Sequence, residues 1–274
     1  MSSFGEIAQQ QLSRFIGTPD SPRIVDVRDP QAIRSDSRFL PTARNLDVAN
    51  IRDWGPTLRG ERVVVYCSDG GTRSRGAAAW LRDDGAQAET LTGGFARWVE
   101  AELPLVRPQH LPPRDLIGRT TWVTRVRPKI IRVACPWLIR RFIDPAARFL
   151  FVAPTEVQAV AERFKATPFD TGHGFWNDRG EHCTFDVMLS AFGLAMEPLA
   201  HLAEIVRGAD TGRLDLAPQC AGLLATSLGL SRMYRDDIAQ LNAAMVLYDA
   251  IFRWCRDATD ETHGCGQSPT SPIC

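Results

Sequence analysis

The chain has 274 residues, 44% of them hydrophobic, with 32 basic and 32 acidic side chains and therefore a formal net charge of zero. That balance supplies no global attraction to nucleic acid or to an anionic membrane, so any basic patch must be local, and the length suits about two domains with substantial cores. The opening MSSFGEIAQQ has no basic start followed by an apolar stretch, and no run of about 18 apolar residues occurs, so a soluble, cytoplasmic protein is expected.

Residues 1–107 alternate apolar strand-like runs with helical ones. Ile24-Val25-Asp26-Val27, Arg62-Val63-Val64-Val65-Tyr66 and Ala88-Glu89-Thr90-Leu91 read as strands, and the Ala-rich stretch from Ser74 to Asp84 reads as a helix. The alternation predicts a small parallel α/β sheet flanked by helices. Cys67-Ser68-Asp69-Gly70-Gly71-Thr72-Arg73-Ser74 then sets a cysteine just after a buried strand, beneath a glycine-bearing loop that leads into a helix. Backbone N–H groups and the helix start converge there on one spot, which favours an anion and lowers the thiol pKa; Arg73 adds positive charge. A thiolate so placed can attack a sulfane sulfur, and the resulting persulfide is an anion in the same cradle. The plainer alternative is a small packed core cysteine.

Pro104, Pro108, Pro112 and Pro113 crowd a polar segment, and residues 108–118 read as a stiff linker. From 119 to 258 the pattern is mostly α-helical. Pro136 to Ile143 opens one helix, Phe149 to Val152 forms a short strand, and helices follow near 184–192, 197–208, 217–229 and 234–257. Residues 259–274 have Gly, Ser and Pro without periodicity, and a disordered tail is expected. The seven cysteines are odd in number and form no CxxC pair, which favours reduced thiols and leaves Cys67 available.

In the second domain Arg125, Arg132, Arg140 and Arg141 are predicted to surround Cys135 at the start of a helix, an arrangement suited to an oxyanion pocket or a redox site. The alternative is a solvated arginine face over a packed cysteine. Asp170, His182 and Cys183 carry metal-ligand chemistry at a spacing that matches no zinc pattern. No cofactor is assigned, and a metal in this domain is left open.

Four landmarks of the first domain occur in order: Asp26-Val27-Arg28, Leu40-Pro41-Thr42-Ala43-Arg44-Asn45, the loop opened by Cys67, and Leu91-Thr92-Gly93-Gly94-Phe95-Ala96-Arg97-Trp98 followed by Pro104. On these the domain resembles the rhodanese family of sulfurtransferases. The resemblance implies a rhodanese-like fold, a nucleophilic Cys67 with Arg73 in the active loop, a structural or rim-forming Asp26 and Arg28, and a core-packing Trp98. Two departures stand out. Phe39 occupies a position where many rhodaneses have His, and the loop from Cys67 through Arg73 is one residue longer than the usual sulfurtransferase loop. Its C-x5-R spacing is that of rhodanese-fold phosphatases and arsenate reductases, with Asp69 then offered as a general acid.

Trp122-Val123-Thr124-Arg125, Ala134-Cys135-Pro136-Trp137-Leu138-Ile139-Arg140-Arg141-Phe142-Ile143-Asp144, Pro168-Phe169-Asp170, Cys183-Thr184-Phe185-Asp186, the run from Ile205 to Thr211 and Leu247-Tyr248-Asp249-Ala250 together span nearly all of the second domain. They resemble the C-terminal domain of the chromate-resistance protein ChrB family, with Ile131 where an aspartate is expected. The combined resemblance implies a sulfurtransferase working through a Cys67 persulfide, with a small sulfur donor such as thiosulfate and a thiol acceptor as partners, and chromate as a further candidate. The alternatives are a chromate-responsive regulator and a C-x5-R oxyanion reductase or phosphatase. Direct DNA contact is the weaker case, because no basic recognition helix is evident.

Overall fold

The computed structural model describes residues 5–261. The disorder expected of the tail therefore concerns a segment that, from residue 262 on, lies outside the described residues, as do Cys265 and Cys274.

The first half contains β1 (Glu6–Ile7), α1 (Gln9–Phe15), β2 (Arg23–Asp26), α2 (Pro30–Ser35), β3 (Arg44–Asn45), α3 (Ile51–Trp54), β4 (Arg62–Tyr66), α4 (Thr72–Asp83), β5 (Gln87–Leu91) and α5 (Gly94–Glu100). Its strands form one parallel sheet in the order β1-β5-β4-β2-β3. The period of two along the strands divides the side chains cleanly. Ile24, Val64 and Tyr66 join one apolar cluster, while Val25, Val27, Val63, Val65 and Cys67 join another on the opposite face. Both faces are covered, which explains why β4 reads as a near-continuous apolar run. Helix α2 starts where Asp29 accepts the Ala32 N–H at 2.9 Å with Pro30 behind it, an N-cap followed by a proline that has no N–H to leave unsatisfied.

The second half contains β6 (Thr121–Arg125), α6 (Ile130–Leu138), β7 (Arg148–Val152), α7 (Val157–Phe164), β8 (Thr167–Pro168), α8 (Thr184–Phe192), α9 (Glu197–Thr211), α10 (Cys220–Met233) and α11 (Asp237–Asp257). It is largely helical, but it also holds a parallel three-stranded sheet in the order β7-β6-β8. Helix α6 begins at Ile130, six residues before Pro136, and passes into a π turn over Ile139–Ile143. Pro136 thus lies inside the helix instead of opening it, at the cost of one main-chain hydrogen bond.

The two halves share one core. Phe39 and Val106 form an antiparallel bridge with N···O distances of 3.1 and 2.8 Å, and the Thr42 N–H donates to the Phe142 carbonyl at 2.8 Å. Gly17, at φ +79°, lies where a Cβ would come within 2.6 Å of both Phe142 and Phe252, so the ring pair of the second half packs directly on a turn of the first. Arg256 of α11 reaches back to the carbonyls of Arg14 and Ile16. The proline-rich segment 108–118 is docked along this junction: His110 stacks on Phe175 with ring centroids 4.3 Å apart, and Arg114 is paired with Asp144 at 3.3 Å.

Candidate active loop

Parallel registry sets the position of Cys67. Tyr66 is opposite Asp26, and the Val27 N–H donates to the Tyr66 carbonyl at 2.9 Å, so the chain leaves the sheet at Cys67 held against β2. The cysteine is only 4% exposed. Its Sγ lies 3.2 Å from Ser74 Oγ and donates to Asp69 Oδ1, also at 3.2 Å. Asp69 Oδ1 in turn accepts the Gly71 N–H at 2.9 Å. Helix α4 begins at the next residue, with no side-chain cap on its first turn.

The loop is clamped from behind. The N–H groups of Phe95 and Ala96, at the start of α5, donate to the carbonyls of Cys67 and Ser68 at 2.9 Å each. This contact requires glycine on both sides. A Cβ on Gly94, at φ +59°, would stand 2.4 Å from the Cys67 carbonyl oxygen and 2.5 Å from the Gly70 nitrogen; one on Gly70, at φ +71°, would stand 2.7 Å from the Gly93 nitrogen. The Gly93-Gly94 landmark is thus part of the loop's seat, a role that the sequence motif alone does not reveal.

Two expectations for the loop are corrected. Arg73 does not face the cradle: its Nε donates to the Val27 carbonyl and its Nη2 lies 3.3 Å from Asp47, and among the described residues it makes no hydrogen bond to the loop. The neighbouring Arg75 is likewise drawn to Glu6, at 3.4 Å. Asp69 is also unsuited to act as a general acid. The Gly71 N–H and then the Cys67 thiol hold its carboxyl below the usual carboxylate range, so at neutral pH it has no proton to give. Thr72 opens α4, and Ser74, fully buried, also donates to the Gly71 carbonyl at 3.2 Å. Asp26, Arg28 and Trp98 are interior, the indole N–H donating to the Pro104 carbonyl at 2.9 Å.

In the second half the predicted thiol–arginine pocket is not assembled. Cys135 is fully buried in the second turn of α6, and burial first of all pushes its thiol well above the usual range, the opposite of an activated cysteine. The arginines are divided among other partners. Arg125 and Arg132 both lie 3.2 Å from Asp170; Arg141 grips Asp249 through two 2.7 Å bonds, with the Trp137 indole on the same carboxylate; Arg140 donates to Asn242 at 3.0 Å. The metal-ligand candidates also diverge. Asp170 is held by arginines, His182 is exposed in a bridge with Arg179, and Cys183 is a buried N-cap residue of α8 whose thiol burial likewise raises. Among the described residues no three His, Cys, Asp or Glu side chains are grouped to hold a metal ion. Iodoacetamide at neutral pH is expected to leave Cys135 and Cys183 unlabelled in the folded protein and to modify them only in denaturant, as peptide mapping by mass spectrometry will report.

Two family models match the chain. The family model of the rhodanese-like domain matches residues 8–101, and that of the ChrB C-terminal domain matches residues 122–255. A sulfurtransferase from Allochromatium vinosum is 31% identical over 106 residues, covering 38% of this chain and 96% of that protein. Protein ChrB from Cupriavidus metallidurans is 29% identical over 180 residues, 65% of this chain; the chain spans about half the length of that relative, 52%. Among solved structures, a rhodanese-related protein from Thermoplasma volcanium aligns over 37% of this chain and 96% of its own, at 24% identity and a TM-score of 0.33. No helix among the described residues is long and apolar enough to cross a membrane.

Proposed function

Because the chain belongs to the rhodanese-like family through residues 8–101 and carries the ChrB C-terminal domain over residues 122–255, we propose that it is a sulfurtransferase in which Cys67 carries sulfane sulfur as a persulfide. The observation that supports this most directly is the seat of Cys67. Its sulfur emerges between the end of β4 and the uncapped start of α4, in a loop clamped by the α5 N–H groups, where a persulfide anion would meet unpaired backbone donors. The partners under this reading are a small sulfane donor and a thiol acceptor in the cytoplasm, in a protein connected with chromate resistance. Against the C-x5-R phosphatase or reductase alternative stands Arg73, whose guanidinium is already committed to Val27 and Asp47.

A second reading gives the ChrB-like domain a tetrahedral oxyanion such as chromate at Arg125 and Arg132. One observation favours it: Arg125 Nε is buried without a hydrogen-bond partner among the described residues. Against it, Asp170 already bridges both guanidinium groups.

The deciding experiment is the intact mass of the purified protein after incubation with a sulfane donor, thiosulfate and an alkyl persulfide each being tried. A gain of one sulfur atom that Cys67→Ala abolishes is expected. No gain with either donor, from a folded protein whose Cys67 still reacts with iodoacetamide, would exclude the persulfide mechanism.

A further inference from the structure

Whatever enters the active loop must first meet Asp69. Its carboxylate is the hydrogen-bond acceptor for the Cys67 thiol, 3.2 Å from the sulfur, and it occupies the Gly71 N–H that would otherwise be offered to an incoming anion. Neither of the two cations nearest in sequence pairs with it: Arg73 is bound to the Val27 carbonyl and Asp47, and Arg75 to Glu6, so Arg75 acts on Asp69 only through space. The mouth of the loop therefore presents a carboxylate that, among the described residues, forms no ion pair, although the cradle beneath it is built from N–H groups.

From this arrangement we infer that Asp69 sets the donor class of the site, excluding the thiosulfate dianion and admitting an alkyl persulfide. The inference rests on the sulfurtransferase reading and specifies its substrate. Thiosulfate carries two charges at neutral pH and would have to displace a like-charged group from the donor that holds it. A persulfide carries at most one charge and is attacked in its neutral form, R–S–SH. The Cys67 sulfur forms a bond to the terminal sulfur of R–S–SH, the S–S bond of the donor breaks, and its electron pair departs on R–S. The thiol proton of Cys67 is lost to solvent, and the departing R–S⁻ takes one up from solvent. The balance is Cys67–SH plus R–S–SH giving Cys67–S–SH plus R–SH, with no external oxidant or reductant.

The test compares kcat/KM for thiosulfate with that for a short alkyl persulfide bearing no other charged group, released in the assay from an acyl-protected precursor, in the wild type and in Asp69→Asn. Asparagine retains an oxygen for the Gly71 N–H and removes only the charge. The wild type is expected to prefer the persulfide, and the substitution to shift the donor ratio toward thiosulfate by about tenfold or more. The wild-type rate with thiosulfate should also rise with ionic strength as the repulsion is screened, a dependence that Asp69→Asn should flatten. Cys67-dependent transfer with no donor preference, or with a ratio unchanged by Asp69→Asn, would overturn the donor assignment alone. Absence of Cys67-dependent transfer from both donors would overturn the sulfurtransferase reading and this assignment with it.

Discussion

Alanine in place of Gly94 is expected to lower Cys67-dependent sulfur transfer by about a hundredfold or more while the protein stays folded. Gly94 adopts φ +59°, a conformation that costs an L-residue roughly 1–2 kcal/mol, and its missing side chain is where the active loop sits. A methyl group there would lie 2.4 Å from the Cys67 carbonyl oxygen and 2.5 Å from the Gly70 nitrogen, distances that no packing adjustment absorbs without moving backbone. The loop is the more exposed partner, with Ser68 to Asp69 and Gly71 to Arg73 only partly covered, so it should yield first. The 2.9 Å bonds from Phe95 and Ala96 to the loop carbonyls would then lengthen, and the sulfur would leave the axis of the cradle. A displacement near 1 Å suffices for a loss of that size. Circular dichroism and the transfer rate, measured on Gly94→Ala beside Gly229→Ala in α10, separate the effects, because a Cβ at Gly229 meets nothing within 4 Å. Transfer by Gly94→Ala within about twofold of wild type would mean that the α5 clamp does not position the nucleophile.

That clamp marks the limit of what the sequence discloses. The strand–loop–helix order around Cys67 is legible because it is local: an apolar run of period two, then Gly70 and Gly71, then a helix former series. The direction of Arg73 is not local. It depends on the Val27 carbonyl, 46 positions away, and on Asp47, 26 away, and the C-x5-R spacing contains neither. The same holds in the second half. The helices from 184 onward follow their apolar periodicity, whereas Trp122-Val123-Thr124 reveals itself as the central strand only once β7 and β8 lie on either side. Cys135 looked activated because arginines are near it in sequence; in space Asp170, Asp249 and Asn242 take those arginines, and the thiol points into the core. Nor does the proline-rich segment's composition reveal that Phe39, Thr42 and Gly17 join the two halves into one core.

Asp26→Ala is expected to destabilise the protein by about 3–5 kcal/mol, read as a fall in the urea midpoint, and to slow sulfur transfer as well. Asp26 and Arg28 form a fully enclosed pair with side chains 2% exposed, the carboxylate accepting from the Arg28 backbone, Nε and Nη2 at 2.7 to 3.1 Å. Removing the carboxylate leaves a guanidinium that cannot give up its proton in the interior, with two neutral acceptors, the carbonyls of Asp36 and Arg38, as its remaining hydrogen-bond partners. Most of the loss is the cost of the stranded charge, so the paired replacement Asp26→Leu with Arg28→Met should recover most of the stability that the single change removes. A single variant losing less than about 1 kcal/mol would show that Arg28 finds water and that the charge is not confined. The coupling to activity runs through one ring. The Arg28 guanidinium lies 3.9 Å from the centre of Phe95, and the Phe95 N–H is the donor that fixes the Cys67 carbonyl. An arginine drawn outward in search of a counter-charge would release that ring, and with it the clamp on which the nucleophile's position depends.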